Sequence, residues 1–234
     1  LPLQFANAVR GALHAVDLVK NGLTGAHDVL EGEFGHFRLF DTGSLSTYTR
    51  DLGAIWRVSE VSTKPFPSGR ASHATLGALA DIRTSAQTIE RVRAHVPPLI
   101  AQLVGRPCRA DMTPAYARLC LPVLSALMIR EGRIDPRRFT AEIFGDPVIQ
   151  NIAAKVEVVV DGNHDPNALS PQRLEVHYAD GSSEDFAVPH TLGSPDAPLS
   201  SEQAAAKRDL CEALTHEIDR RLFDDPLSYF TEPQ

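Results

Sequence analysis

The chain has 234 residues, of which 43% are hydrophobic, and carries a formal net charge of −7 at pH 7. A chain of this length can bury a substantial core in one domain or two. The acidic balance, without a basic run interleaved with aromatic residues, argues against a nucleic-acid partner. The composition is that of a soluble cytoplasmic protein.

The cysteines and the apolar runs argue against two further classes of protein. Cys108, Cys120 and Cys211 are widely spaced and odd in number, which predicts neither a disulfide framework nor a zinc site. We interpret them as buried thiols in a reducing cytosol. The longest apolar run, residues 119–129, contains Pro122 and is too short to span a bilayer, so no membrane partner is expected.

The first part of the chain predicts helices. Residues 4–21 carry apolar side chains at helical spacing, and Asn21-Gly22 is expected to end that helix. A short helix is expected over residues 27–30. Residues 55–61 then alternate like a strand, so the change in composition near residue 55 is a candidate domain boundary.

The middle of the chain predicts an α+β fold. Asp180-Gly181 is expected to form a hairpin turn, and residues 193–198 are expected to form a linker. Ser200 or Ser201 would cap a last helix that reaches residue 223. The other expected elements are helices over residues 71–84 and 114–130, the second closed by Gly132, and strands over residues 89–96, 155–160, 173–178 and 183–188.

Residues 64–73, here named the Lys64 loop, place three positively ionisable side chains directly before a predicted helix. Pro65 and Pro67 restrict the backbone and keep the residues before them extended. Ser72 is expected to cap the helix, whose free N–H groups favour negative charge. The pattern predicts an anion-binding loop, with a solvated connecting loop as the alternative.

The Lys64 loop belongs to a longer pattern of short motifs. They are Asn-Ala-Val-Arg-Gly at residues 7–11, a glycine-rich block at 22–35, Ala-Arg-Leu-Cys-Leu-Pro at 117–122 and Glu-Gly-Arg at 131–133. In this order and at this spacing, the chain resembles the MmgE/PrpD family, which includes 2-methylcitrate dehydratase, cis-aconitate decarboxylase and iminodisuccinate epimerase. The resemblance implies that the chain is the C-terminal half of a family member.

The resemblance also implies a domain organisation. Family members have a large all-helical domain built from both ends of the chain and a smaller α+β domain. Mapped onto this sequence, residues 1–55 and 195–234 form parts of the helical domain, and residues 56–194 form the α+β domain with a mostly antiparallel sheet. A homodimer formed through the helical domain is expected.

The chemistry implied by the resemblance is a lyase or isomerase reaction on a small polycarboxylate, without metal or organic cofactor. Arg70 has a planar fork suited to binding a carboxylate, and Lys64 is expected to stabilise enolate-like charge. His73, whose unperturbed pKa lies near neutrality, is the expected proton shuttle. Arg10 occupies a position where family members carry Arg or Lys beside the same cleft, and is expected to bind substrate.

Each of these four side chains has a purely structural alternative. The alternatives are a carbonyl cap for Arg70, a surface position for Lys64, packing at a helix start for His73, and an ion pair with Asp17 or Asp51 for Arg10.

His164 lies near acidic residues, but its neighbours have the composition of a turn, so no metal site is expected.

The sequence departs from the family pattern at two places. Family members often carry Ser-Leu-Pro-Tyr where this chain has Cys120-Leu121-Pro122-Val123, and a valine cannot donate a proton. Gly69 replaces a residue that is often Cys or His. These departures indicate a divergent member and leave a non-catalytic binding or oligomerisation module as the alternative. The chain alone is expected to be inactive, because the family's acidic and His residues lie in the N-terminal half.

Overall fold

The structure is a computed structural model that describes residues 2–82, 88–165, 167–215, 224–225 and 227–228. The chain divides into two compact units, Leu1–Arg57 and Val58–Gln234. The expected grouping of residues 195–234 with residues 1–55 in one helical domain stays a prediction.

The described part of the first unit is helical. Its helices are α1 (Pro2–Lys20), α2 (His36–Leu39) and α3 (Leu45–Thr49). The predicted helix over residues 4–21 is confirmed, and Gly22, with a φ of 92°, follows its end. The helix predicted over residues 27–30 is wrong, because Asp28 adopts a φ of 55° and its carbonyl closes a turn with the Gly32 N–H over 2.8 Å.

The strand predicted over residues 55–61 is also wrong. Residues Arg57–Glu60 form a 3-10 turn. Val58 and Val61 stay exposed by 76% and 66%, so the alternation of apolar side chains does not mark a buried strand face here.

A mixed sheet forms the centre of the second unit. Its strands are β1 (Ile89–Val96), β2 (Val156–Val160), β3 (Gln172–Tyr178) and β4 (Ser183–Val188), in the order β2-β1-β3-β4. β1 pairs in parallel with β2, whereas the β1–β3 and β3–β4 pairs are antiparallel. The predicted α+β class is confirmed, but the sheet is mixed rather than mostly antiparallel. The long connection between β1 and β2 permits the parallel pair.

The helices of the second unit follow in chain order as α4 (His73–Ala80), α5 (Pro98–Val104), α6 (Pro114–Ala117), α7 (Leu121–Glu131), α8 (Ala141–Gly145), α9 (Pro147–Ala154) and α10 (Ser201–Ala213). Of these, α4, α5, α7 and α9 contact the sheet. The core lies between α4, α7, α9 and the face of the sheet that carries Val92, Ala94, Leu174 and Val176.

The predicted helix over residues 114–130 is divided in two. Cys120 has an extended backbone, with φ −112° and ψ 95°, and thereby separates α6 from α7. α7 ends at Gly132, whose φ of 69° fits the predicted glycine cap.

The ends of two other predicted helices differ from the structure. The helix predicted from residue 71 begins as a 3-10 turn, Arg70–Ser72, that leads into α4. Ser200 caps α10 in a capping box with Gln203, as predicted. α10 ends at Ala213, and residues 216–223 of the predicted helix lie outside the described residues.

The segment predicted as a linker, residues 193–198, begins as a packed turn. The Gly193 carbonyl accepts a hydrogen bond from the Thr63 N–H over 2.8 Å. Gly193 has a φ of 87°, and a Cβ there would lie 1.9 Å from the Thr63 carbonyl oxygen. Only glycine fits this close approach, which fixes the chain directly before the Lys64 loop.

Candidate anion site at the Lys64 loop

Two parts of the second unit hold the Lys64 loop. The contact between Thr63 and Gly193 fixes its start, and the Gly69 N–H donates a hydrogen bond to the Arg118 carbonyl over 2.9 Å. Within the loop, the Lys64 ammonium donates to the Ser68 carbonyl over 3.3 Å. The backbone that carries the three cationic side chains is therefore anchored at both its start and its middle.

Ser72 does not cap α4 with its side chain, so this expectation is wrong. The 3-10 turn places Ser72 in the helical backbone region. Its hydroxyl donates to the Gly69 carbonyl over 2.8 Å and lies 2.8 Å from the Ser68 hydroxyl. The serines thus hold the bend of the loop rather than the first turn of the helix.

His73 is almost completely buried, with 1% of its surface exposed. Its ring meets the Phe66 ring edge to face, with 5.5 Å between the centroids. Burial, and then the charges of Lys64 and Arg70, lower the pKa of His73 from 6.5 to about 4, while hydrogen bonds with the backbones of Ser68 and Phe66 oppose the shift. The imidazole is therefore neutral at physiological pH.

Lys64 and Arg70 both act electrostatically on His73, so the loop brings the three predicted side chains into one neighbourhood. Lys64 is exposed and Arg70 is half-buried. The Nε atom of Arg70 and the Nε2 atom of His73 are buried and have no hydrogen-bond partner among the residues that the structure describes. Because unpaired buried polar atoms are costly, these two atoms are the candidates for hydrogen bonds to a ligand.

Arg10 lies on α1 in the first unit and lines an exposed depression together with Asn7 and Asp17. Among the described residues it forms no ion pair within 4.0 Å, whereas Asp51 pairs with Arg50 at 3.6 Å. Its expected convergence with the Lys64 loop stays a prediction.

An apolar groove of about 560 Å³ runs beside the loop. Pro65, Phe66 and Ala74 form one wall of the groove, and side chains of β4 and α10 form another. Lys64, Arg70 and His73 are not among the residues that line it. Sequence reasoning missed this groove, because it is assembled from elements far apart in the chain.

The two departures from the family pattern occupy packed positions. Val123 is fully buried in the core at the start of α7. A Cβ at Gly69 would lie 2.6 Å from a terminal methyl of Leu119, so a larger residue there requires that side chain to move. Glycine at position 69 therefore allows the close contact between the loop and the segment before α7.

The acidic segment around His164 is a series of turns. The Asp161 carboxylate accepts from the Asn163 N–H over 2.8 Å, and the Asn163 side chain accepts from the Asp165 N–H over 2.9 Å. Across the described ranges, no group of three or more His, Cys, Asp or Glu side chains is arranged to hold a metal ion. None of the helices described has the length and apolar character needed to cross a membrane.

The model of the MmgE/PrpD C-terminal domain matches residues 66–222. The match begins inside the Lys64 loop, includes Arg70 and His73, and continues through the sheet into the last part of the chain. A comparison with curated proteins gives no match.

Proposed function

The chain belongs to the MmgE/PrpD family, and on this premise we propose that its complete gene product is a cofactor-independent lyase or isomerase. Its substrate is a small polycarboxylate of the 2-methylcitrate type. The observation that carries the proposal is the buried, neutral His73 beside two cationic side chains in a loop anchored at two places. Family membership alone supports enzymatic chemistry in general, and the loop supports this choice of substrate.

The proposed roles follow from charge and hydrogen bonding. Arg70 binds a substrate carboxylate with its unpaired Nε–H, and Lys64 stabilises the negative charge that develops on the enediolate. The proton of the carbon next to that carboxylate moves to the unpaired Nε2 of His73. Because a bound polyanion offsets the charges of Lys64 and Arg70, it raises the pKa of His73 and favours this transfer only when substrate is present.

Three further parts of the proposal rest on the family resemblance and the composition. Arg10 contributes a second substrate contact, and the protein forms a homodimer in the cytoplasm. The acid and base partners in the N-terminal half of the family complete the site. This chain alone is therefore expected to show no turnover.

The test is a substrate panel of citrate, 2-methylcitrate, cis-aconitate and tartrate, with product formation by the complete gene product followed by NMR. We expect turnover of one of these acids. Arg70→Gln should reduce the turnover rate by a factor of about 10²–10³, the scale of removing a charged group at a developing anion. Arg208→Gln, which removes an exposed cation from α10, should leave turnover unchanged. No turnover and no binding by the wild-type protein would overturn the proposal.

A non-catalytic module is the second candidate, and Val123 favours it. Where family members often carry a tyrosine, this chain buries a valine completely in its core. This candidate predicts a stable oligomer of the complete gene product that binds polycarboxylates without converting them. Light scattering combined with the substrate panel separates the two candidates.

A further inference from the structure

Two cysteines meet at the start of α7. Gly105 and Cys120 form an isolated antiparallel bridge, which brings the segment after α5 next to Cys120. The Cys120 thiol lies 3.2 Å from the carbonyl oxygen of Arg106, only two residues before Cys108. The Tyr116 hydroxyl donates to the Pro107 carbonyl over 3.0 Å and holds the same segment in place. These contacts position Cys108 and Cys120 as neighbours.

The two thiols have different surroundings. Cys120 is fully buried, whereas Cys108 is partly exposed. The interaction with the neighbouring Cys120 thiol lowers the pKa of Cys108 to about 7; burial opposes this shift, and Gln150 adds to it. The interaction with Cys108, followed by burial, raises the pKa of Cys120. Cys108 is therefore the nucleophilic thiolate, and Cys120 stays protonated.

We propose that Cys108 and Cys120 form a thiol oxidation site that reacts with hydroperoxides and closes an intramolecular disulfide. The Cys108 sulfur attacks one peroxide oxygen and the O–O bond breaks. The sulfur is oxidised to a sulfenic acid, and the peroxide is reduced, with hydroxide as the leaving group for hydrogen peroxide. The Cys120 sulfur then attacks the sulfenic sulfur, the S–S bond forms, and the S–O bond breaks. The departing hydroxide and the Cys120 thiol proton leave as water.

The position of the pair gives the oxidation a structural consequence. Cys120 lies two residues after Arg118, whose carbonyl holds Gly69 of the Lys64 loop. A disulfide at Cys120 therefore constrains the backbone segment to which the Lys64 loop is hydrogen-bonded.

Cys211 supplies an internal comparison. It is exposed on α10, so the expectation that all three cysteines are buried is wrong for Cys211, and Cys108 is only partly buried. A reaction that depends on exposure alone would modify Cys211 first. A reaction that depends on the paired thiols links Cys108 to Cys120 and leaves Cys211 out of the disulfide.

The test treats the wild-type chain with hydrogen peroxide, blocks remaining thiols with N-ethylmaleimide, and maps peptides by mass spectrometry without reduction. We expect a monomer with a single N-ethylmaleimide adduct, at Cys211, together with a Cys108–Cys120 linked peptide pair and reversal by dithiothreitol. The rate should increase with pH around a midpoint near 7, where Cys108 ionises. Oxidation confined to Cys211, or disulfides only between separate chains, would overturn the proposal.

Single substitutions separate the two roles. Cys211→Ser should retain the linked peptide pair. Cys120→Ser should stop the reaction at the Cys108 sulfenic acid, which dimedone traps, and Cys108→Ser should leave Cys120 unmodified. Peroxide modification of Cys120 at an unchanged rate in folded Cys108→Ser would contradict the assigned order of attack.

Discussion

The N–H of Gly69 and the carbonyl of Arg118 are 2.9 Å apart, and their hydrogen bond attaches the Lys64 loop to the segment before α7. The second attachment joins Thr63 to Gly193. Together these contacts hold the loop in one shape without a ligand, because both use backbone groups whose positions the core fixes. Preorganisation of this kind lowers the entropic cost of binding an anion.

The attachment at Gly193 predicts a large effect of a small substitution. Gly193→Ala should destabilise the second unit by about 3 kcal/mol, because the residue has a positive φ and its new Cβ would overlap the Thr63 carbonyl. Urea unfolding followed by circular dichroism measures the change. Gly162→Ala is the matched control, since a Cβ at Gly162 meets no atom of the described residues within 4 Å. Equal losses in the two variants would contradict the close approach.

The buried imidazole predicts a pH dependence of stability. The pKa of His73 is lowered to about 4 in the folded protein from 6.5, so the unfolded chain binds its proton first as pH falls. The stabilisation is fully present above pH 6.5 and is lost between pH 6.5 and 4, by about 3 kcal/mol in total. His73→Gln should reduce this loss, whereas His164→Gln, at an exposed position, should leave it unchanged. Unfolding free energies measured across this pH range test the prediction. If the free energy of unfolding fell equally with pH in wild type and His73→Gln, the assigned role of His73 would be refuted.

The face of the sheet opposite the core carries a network of ion pairs around Glu175, which predicts a second loss of stability at low pH. Arg93 and His95 each lie 3.2 Å from the Glu175 carboxylate, and Arg173 also pairs with it. Partial burial raises the pKa of Glu175, but the His95 hydrogen bond and the charge of Arg173 outweigh burial and lower the pKa to about 2. The stabilisation is therefore present above the ordinary value of 4.5 and is lost as pH falls towards 2.

Glu175→Gln should consequently lower stability at neutral pH by about 1 kcal/mol, because Arg93 and Arg173 lose their shared partner. The variant should also lose less stability than wild type on acidification. Glu184→Gln, on the exposed edge strand β4, is the control. Urea unfolding at neutral and acidic pH measures both effects, and a Glu175→Gln protein that resembles the control would count against the network.

Local patterns predicted much of the fold. β1 was predicted with its observed bounds, because Val92, Ala94 and Val96 alternate with polar residues and are buried on one face. α9 was missed although Asp146-Pro147 carries a helix-start signal, with the Asp146 carboxylate accepting from the Val148 N–H over 2.8 Å. The parallel pair of β1 and β2 depends on long-range connection, which local patterns do not contain.

For the candidate site, too, some features could be predicted from the sequence and others could not. Lys64, Arg70 and His73 could be selected from the sequence, since all three ionisable side chains lie within one ten-residue segment. The depressed pKa of His73 could not be predicted, because burial depends on how the loop packs in the folded chain. The hydrogen bond between Thr63 and Gly193 could not be predicted either, since the two residues are far apart in sequence.

An NMR titration of the His73 ring in the complete gene product, with and without citrate, tests the anion site most directly. We expect a pKa near 4 without citrate and a rise towards neutrality with saturating citrate, because the polyanion offsets the charges of Lys64 and Arg70. Arg70→Gln should weaken the citrate response. A His73 ring that titrates at its ordinary value of 6.5 without citrate, or a pKa that saturating citrate leaves unchanged, would contradict the account.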